Sequence, residues 1–266
     1  MIFSILTVVK NDVQNIESTL SSVLSQSLPV QYIVIDGGSI DGTLEVLKRY
    51  VERLEHLISE PDDGIADAFN KGLKKCTASI VGIVNSGDRL EQGALEEVIR
   101  VFDGGDCDIV YGDVQYRKGE QKEYRYGADH KYLDRFMSIN HPAVFVKKEV
   151  YEKYGMFDER YRYAMDYELM LRFYLSGCKF CYLGKVLSNM SLGGVSDKNW
   201  RKAYKEVYDI KRRYFGNSVA LFIDYVYRLC KRYISNLLSA LGMERVKSVY
   251  RRKFATIKKS IDETSL

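Results

Sequence analysis

Four short polar runs in this 266-residue chain carry the side chains that phosphate and metal chemistry uses. They are Thr7 to Asn11, Asp36-Gly37-Gly38-Ser39, Glu60-Pro61-Asp62-Asp63-Gly64 and Asn85-Ser86-Gly87-Asp88. Their carboxylates, amides and hydroxyls suit a divalent cation bridging a diphosphate, because hard cations take oxygen ligands. Taken singly, each run reads as turn chemistry, with Ser39 or Asp41 as a helix N-cap. Other chemistries lack their residues. No GxGxxG follows the first apolar run, and neither a GxxxxGK[ST] loop nor a GxSxG elbow occurs. Cys178 and Cys181 form a CxxC without a second pair, and His56, His130 and His141 all lie upstream, so zinc is poorly supported.

The elements around these runs explain why four turns can act together. Apolar runs at 2–9, 32–36, 56–59, 79–84 and 108–116 read as strands. Amphipathic runs at 12–25, 41–53, 64–76 and 93–102 read as helices. Such alternation predicts right-handed βαβ units and a mostly parallel sheet, whose ligands bind beyond the carboxyl ends of the strands. All four polar runs fall at those ends. Downstream the pattern becomes mixed, with a hairpin at 115–126 around Lys118-Gly119-Glu120, a strand at 141–146, a helix at 164–175 and two short strands at 178–183 and 186–190. The fold class is therefore α/β, with one domain over 1–197 and a helical region over 198–266.

Charge separates the same two parts. The chain holds 46% hydrophobic, 12% aromatic and 29% charged residues, enough for a sizeable core and against wholesale disorder. Its net charge of +4 conceals residues 198–266 at +11, with 17 basic and 6 acidic, and a body at −7, with 23 and 30. A uniformly basic nucleic-acid binder is excluded. Five dispersed cysteines argue against a disulfide framework and for a reducing cytosol. The N-terminal apolar run is too short, and lacks the basic flank, for a signal peptide. No stretch approaches a membrane span.

With these residues in view, a resemblance is apparent. Ser4 to Asn11, Ile35-Asp36-Gly37-Gly38-Ser39-Ile40-Asp41-Gly42-Thr43, Ser59 to Ile65, Ala68-Phe69-Asn70-Lys71-Gly72 and Val84 to Asp88 resemble the nucleotide-sugar half of glycosyltransferase family 2. Phe157-Asp158-Glu159, Met165 to Arg172 and Gly193-Gly194-Val195-Ser196 resemble its acceptor half. The Asp-Gly-Gly-Ser and Asn-Ser-Gly-Asp variants are most similar to bacterial exopolysaccharide, colanic-acid and O-antigen (lipopolysaccharide) sugar transferases. The resemblance implies a GT-A fold, a Rossmann-like mixed sheet flanked by helices, and an inverting, metal-dependent transfer from a nucleoside diphosphate sugar. It places Thr7, Val9 and Asn11 at the base pocket and Asp36 on the base itself. It places Asp67, Asn70 and Lys71 near diphosphate or ribose; an exposed helix face with an Asp67–Lys71 ion pair is the alternative.

Asn85, Ser86 and Gly87 lead into Asp88, which takes the place of the last residue of the family's Asp-x-Asp motif and would bind Mn²⁺ or Mg²⁺ held by the diphosphate. Ser86 stands where the first carboxylate often sits. Asp166 matches the catalytic base, with Glu168 as local competitor. Asp113 and His141 are softer candidates for contact with acceptor or sugar, and Gly193–Ser196 for a lid.

The expected donor is a UDP-sugar and the acceptor a growing, polyprenyl-diphosphate-linked surface glycan. A GDP-sugar donor, a nucleotidyltransferase and a non-catalytic binding module are the alternatives. Basic amphipathic stripes at 219–241 and 246–261 suit an anionic membrane surface, placing the protein at the inner face of the cytoplasmic membrane; packing against the catalytic domain and self-association are the alternatives.

Overall fold

The structure is a computed structural model that describes residues 2–119, 121–191 and 198–243. The chain forms two compact units, Met1–Gly194 and Val195–Leu266.

The first unit is built on one mixed sheet. β1 (Phe3–Val9), β2 (Val30–Asp36), β3 (His56–Ser59) and β4 (Ile80–Ile83) are parallel to one another. They alternate with α1 (Ile16–Leu24), α2 (Thr43–Lys48) and α3 (Ile65–Leu73). β5 (Arg89–Leu90), α4 (Ala94–Gly104), β6 (Ile109–Lys118), β7 (Gln121–Tyr126), β8 (Val144–Lys147), α5 (Lys148–Tyr154), α6 (Met165–Leu175) and β9 (Phe180–Ser191) follow. Sheet order is β3-β2-β1-β4-β8-β6-β9-β5, with β7 paired to β6. β8 runs antiparallel to both β4 and β6, while β6 and β9 are parallel.

Strands buried on both faces are rich in apolar residues, as Phe3, Ile5, Leu6 and Val9 are in β1, and its two buried hydroxyls, Ser4 and Thr7, are hydrogen-bonded to Gln31 and to Val84 O. Alternate residues enter opposite cores. Leu6, Ile33 and Ile35 meet α3 and α6 through Phe69, Leu169 and Phe173. Phe3, Ile5, Tyr32 and Val34 meet α1, α2 and α4 through Leu20, Leu47 and Val98. The helices thus lie in layers on both sides of the sheet. Close approach of α3 to β1 requires Gly72, since a Cβ there would stand 2.2 Å from Leu6 Cδ1.

Several local expectations change. The two strands expected at 178–183 and 186–190 are one, β9, whose register with β6 shifts on both sides of Asp113. The irregularity hid its continuity. It depends on Gly112, where a Cβ would lie 2.6 Å from both Lys185 O and Leu187 Cγ. His141–Ala143 is a 3-10 turn rather than strand, as Pro142 cannot donate to a ladder, so β8 begins at Val144. α5 and β5 carry no sequence signal long enough to predict.

The expectation of unpaired cysteines is also corrected, because Cys107 and Cys181 form a disulfide. Pairing of β6 with β9 sets their Cα atoms 6.0 Å apart across 74 residues of sequence, within disulfide reach. Among the described cysteines, Cys76, Cys178 and Cys230 are free.

The second unit contains α7 (Trp200–Phe215) and α8 (Val219–Ala240), a helical pair. They meet through Tyr208 stacked on Tyr225, Trp200 edge-on to Tyr233, and Lys211 paired with Asp224 at 3.0 Å. No described helix is long and apolar enough to cross a membrane. The stripe expected over 246–261 and the lid expected over 193–196 lie outside the described residues.

Candidate active site

Strand order reverses between β1 and β4, with β2 and β3 to one side and the antiparallel strands to the other. At such a point the loops after the strands diverge and leave a crevice. The four polar runs meet there through their own hydrogen bonds.

The loops after β1 and β2 are joined first. Asn11 is the one described non-glycine residue with a left-handed φ, at 52°. Its N–H donates to Ser39 Oγ at 2.8 Å, and its Oδ1 accepts from the Ile40 N–H at 2.9 Å. Ser39 in turn donates its hydroxyl and its N–H to Asp36. The end of β3 joins them where Ser59 Oγ donates to Asp36 Oδ2 at 2.6 Å. Asp36 is fully buried beneath these donors, so contact between its carboxylate and a base requires one of them to yield. Val9 O accepts from the Gly37 N–H at 2.9 Å. Thr7 is fully buried, and its hydroxyl donates to Val84 O at 2.7 Å and shares a hydrogen bond with Tyr32. That side chain supports the strands from within.

α3 holds three more candidates. Lys71 Nζ reaches Glu60 at 2.9 Å, Asp67 at 3.1 Å and Pro61 O at 3.0 Å. Asp67 also accepts from the Asp63 N–H, so both residues shape the turn after β3. Asn70 is buried and clasps the far half of the domain. Its amide donates to Phe157 O at 3.0 Å and Glu159 at 2.8 Å, and it accepts from the Phe157 N–H at 3.0 Å.

The turn after β4 ends in a buried carboxylate, that of Asp88. Asp88 N–H closes it onto Asn85 O at 2.9 Å, while Thr19 Oγ1 accepts from the Gly87 N–H and donates to Asp88 O. The Asp88 carboxylate accepts from the Ser191 backbone N–H and the Asn85 amide. Burial pushes its pKa up to about 8; the nearby Asp166 and Asp12 charges add to the rise, and those two donors oppose it. Ser86 Oγ donates to Asp12 Oδ2 at 2.7 Å.

Asp166 stands in the first turn of α6, where the helix dipole favours a carboxylate. Part of its surface is open, but Oδ1 is sealed and has no hydrogen-bond partner. Burial raises its pKa, and His141 partly offsets the rise. Glu168, the competitor, is taken by Arg172 at 2.9 Å in a buried pair. His141 lies beside Asp166 with both ring nitrogens buried and unbonded. Its ring stacks on Phe69 and faces Phe157 at centroid distances of 6.2 and 5.6 Å. Burial lowers its pKa more than Asp166 raises it, which favours the neutral ring.

Asp113 sits apart from this cluster in its bonding. Arg125 Nε at 2.7 Å, Tyr182 OH at 2.7 Å and the Ala128 N–H at 2.8 Å saturate its buried carboxylate, which ties β6, β7 and β9 together.

Asp88, Asp166 and His141 are therefore gathered, whereas Asp36, Asp67, Asn70, Lys71 and Asp113 hold the walls. Asp12 is a part of the site that motif reading passed over, hinted at only by its place in the turn after β1, whereas Ser39 and Ser59 lie within the quoted motifs but were given no role at the site. Among the described residues no three ligating side chains group closely enough to cage a metal. The donor set nevertheless fits an ion shared with a diphosphate: Asp88 is available, and Asn85 Oδ1 is buried without a partner.

Comparison with known proteins places this geometry. The family model described as glycosyl transferase family 2 matches residues 4–166, more than half of the chain. A PGL/p-HBAD biosynthesis glycosyltransferase of Mycobacterium bovis strain BCG is 27% identical over 262 residues, covering 94% of this chain and 98% of its own. Glycosyltransferase AglE of Haloferax volcanii is 28% identical over 58% of this chain and 55% of its own.

Among solved structures, S. aureus TarS 1-349 in complex with UDP-GlcNAc superposes with a TM-score of 0.66 at 18% identity, over 79% of this chain. The match spans 65% of that TarS chain, just under two thirds. Mannosyltransferase PcManGT of Pyrobaculum calidifontis, in complex with GDP-Man and Mn²⁺, gives 0.64 at 16% identity over 96% of this chain and 76% of its own. These likenesses establish the shared fold.

Proposed function

The chain belongs to glycosyl transferase family 2, and from that membership we propose that it moves a sugar, with inversion, from a nucleoside diphosphate sugar to a growing bacterial surface glycan. The observation that carries this reading is the meeting of buried Asp88 and His141 with a partly open Asp166 at the carboxyl edge of the sheet, where Asp166 Oδ1 and both His141 ring nitrogens are left unbonded. Buried polar groups are ordinarily paired, so such orphans mark where a ligand completes the site.

The Asp166 carboxylate, through its open side, takes the proton of an acceptor hydroxyl as that oxygen attacks the anomeric carbon. The bond from that carbon to the diphosphate oxygen breaks with its electron pair, and configuration inverts. His141 holds the acceptor or sugar from its neutral ring. Asp88 would hold Mn²⁺ or Mg²⁺ together with the diphosphate, and its chemistry there would be to offset charge developing on the leaving group. Asn11 and the loop at 37–40 enclose the base. A UDP-sugar is the proposed donor and a GDP-sugar the second reading, since structural neighbours were solved with UDP-GlcNAc and with GDP-Man.

The acceptor is proposed to be lipid-linked, with α8 lying on an anionic membrane. Val219, Ile223, Val226, Ile234, Leu237 and Leu241 form one exposed line along α8 and its C-cap, about 33 Å long at 1.5 Å per residue. Described residues 198–243 carry ten basic and three acidic residues, a charge that complements anionic lipid.

The test is donor hydrolysis and transfer across UDP-, GDP- and dTDP-sugars with Mn²⁺, for wild type and Asp166→Asn. One donor class should dominate. Asp166→Asn should lose about 10²–10⁴-fold in kcat with nucleotide affinity retained. Indifference to every donor would sink the proposal.

A further inference from the structure

We propose that Asp12 supplies, from a different loop, the carboxylate that the Asn85-Ser86-Gly87-Asp88 turn lacks at its second position. Asp12 is a positioning residue for the divalent cation of the donor. The inference rests on the reading above that the diphosphate arrives with such a cation.

Three bonds from separate elements hold Asp12. Its N–H donates to Thr43 Oγ1 at 2.9 Å, at the start of α2. Its Oδ1 accepts from Asn15 Nδ2 at 2.6 Å, before α1. Its Oδ2 accepts from Ser86 Oγ at 2.7 Å, after β4. Asp12 therefore spans the crevice between β1 and β4, where strand order reverses. The same Oδ2 stands 3.8 Å from where a Cβ on Gly87 would lie.

The Ser86 hydroxyl has one hydrogen, and Asp12 takes it. Toward a ligand, Ser86 then presents only oxygen lone pairs. Two residues along the turn, Asp88 presents a buried carboxylate, and Asn85 Oδ1 is buried with no donor to satisfy it. An amide oxygen, a hydroxyl oxygen with its hydrogen turned away and two carboxylates make a set of hard acceptors that favours a cation. A carboxylate that orients a neighbouring ligand commonly contributes 10–100-fold to metal affinity.

The experiment is Mn²⁺ titration followed by electron paramagnetic resonance, with and without UDP, on the full chain. Asp12→Asn should weaken Mn²⁺ binding in the presence of UDP by about 10–100-fold and leave metal-free UDP binding within about threefold. Adding Ser86→Asp to Asp12→Asn should restore most of the Mn²⁺ affinity, because the carboxylate returns on the other loop. Ser86→Ala, which leaves the Thr43 and Asn15 bonds in place, should weaken Mn²⁺ binding even if Asp12→Asn fails to fold. Unchanged Mn²⁺ affinity in Asp12→Asn or Ser86→Ala overturns the inference. So does a parallel loss of metal-free UDP binding, which would mark Asp12 as a loop brace alone. Wild type that binds no Mn²⁺ with UDP overturns the parent reading of a metal-borne donor instead.

Discussion

Burial makes Asp88 hard to ionise, and the nearby Asp166 charge adds to the effect. For Asp88 the consequence is measurable in the folded protein without substrate. Unfolded, its carboxyl loses a proton near 3.8; folded, it holds that proton to about 8. The proton-bound state therefore favours folding below pH 4, and that contribution is lost as pH rises from 4 to 8. In EDTA the melting temperature of wild type should fall across this window more steeply than that of Asp88→Asn, by about 2–4 °C for each kcal/mol lost. Differential scanning calorimetry at pH 5, 6.5 and 8 reads the slopes. Parallel slopes would remove Asp88 as their source.

At the level of elements, α3 links the donor loops to the acceptor side. Phe69 stacks on Phe157 with centroids 4.6 Å apart, and Asn70 brackets the Phe157 backbone from both sides. One helix therefore sets the wall against which His141 packs. Asn70→Ala leaves the Phe157 N–H and C=O without their partner in a buried place. A loss of about 1–3 kcal/mol in urea unfolding is expected. A change below 0.5 kcal/mol would show that the clasp is replaceable. Asn70 also illustrates a limit of motif reading. Spacing on an amphipathic helix shows that residues 67, 70 and 71 share a neighbourhood, but not that Asn70 turns inward to residues 87 and 89 positions away.

For the molecule as a whole, charge and apolar surface are distributed by unit. The second unit exposes the long line of aliphatic side chains on α8, while Asp224 and Arg228 lie elsewhere on that helix, where Asp224 pairs with Arg228 and with Lys211 of α7. If this line meets lipid, Ile223→Asp and Leu237→Asp in the full chain should each weaken binding to vesicles containing phosphatidylglycerol by about tenfold or more, since burying such a side chain stabilises by roughly 1.5–3 kcal/mol. Vesicle flotation at low and high salt gives the measurement. Salt should weaken the wild type on anionic vesicles only. Equal flotation of both variants and wild type would exclude this face.

Strand–helix alternation, the polar turns after the strands and the acidic body with its basic tail were legible from residue order alone. Those features arise from local periodicity and composition, which neighbouring residues express directly. Motif resemblance similarly led to Asp88 and Asp166. What only the folded chain decided were pairings between distant segments. They include Asp12 with Ser86 across 74 residues, Cys107 with Cys181 across the irregular β6–β9 ladder, and Arg125 and Tyr182 closing over Asp113. Whether a carboxylate meets a ligand or braces a wall depends on which donors surround it. Those donors come from loops that approach one another only when the sheet forms.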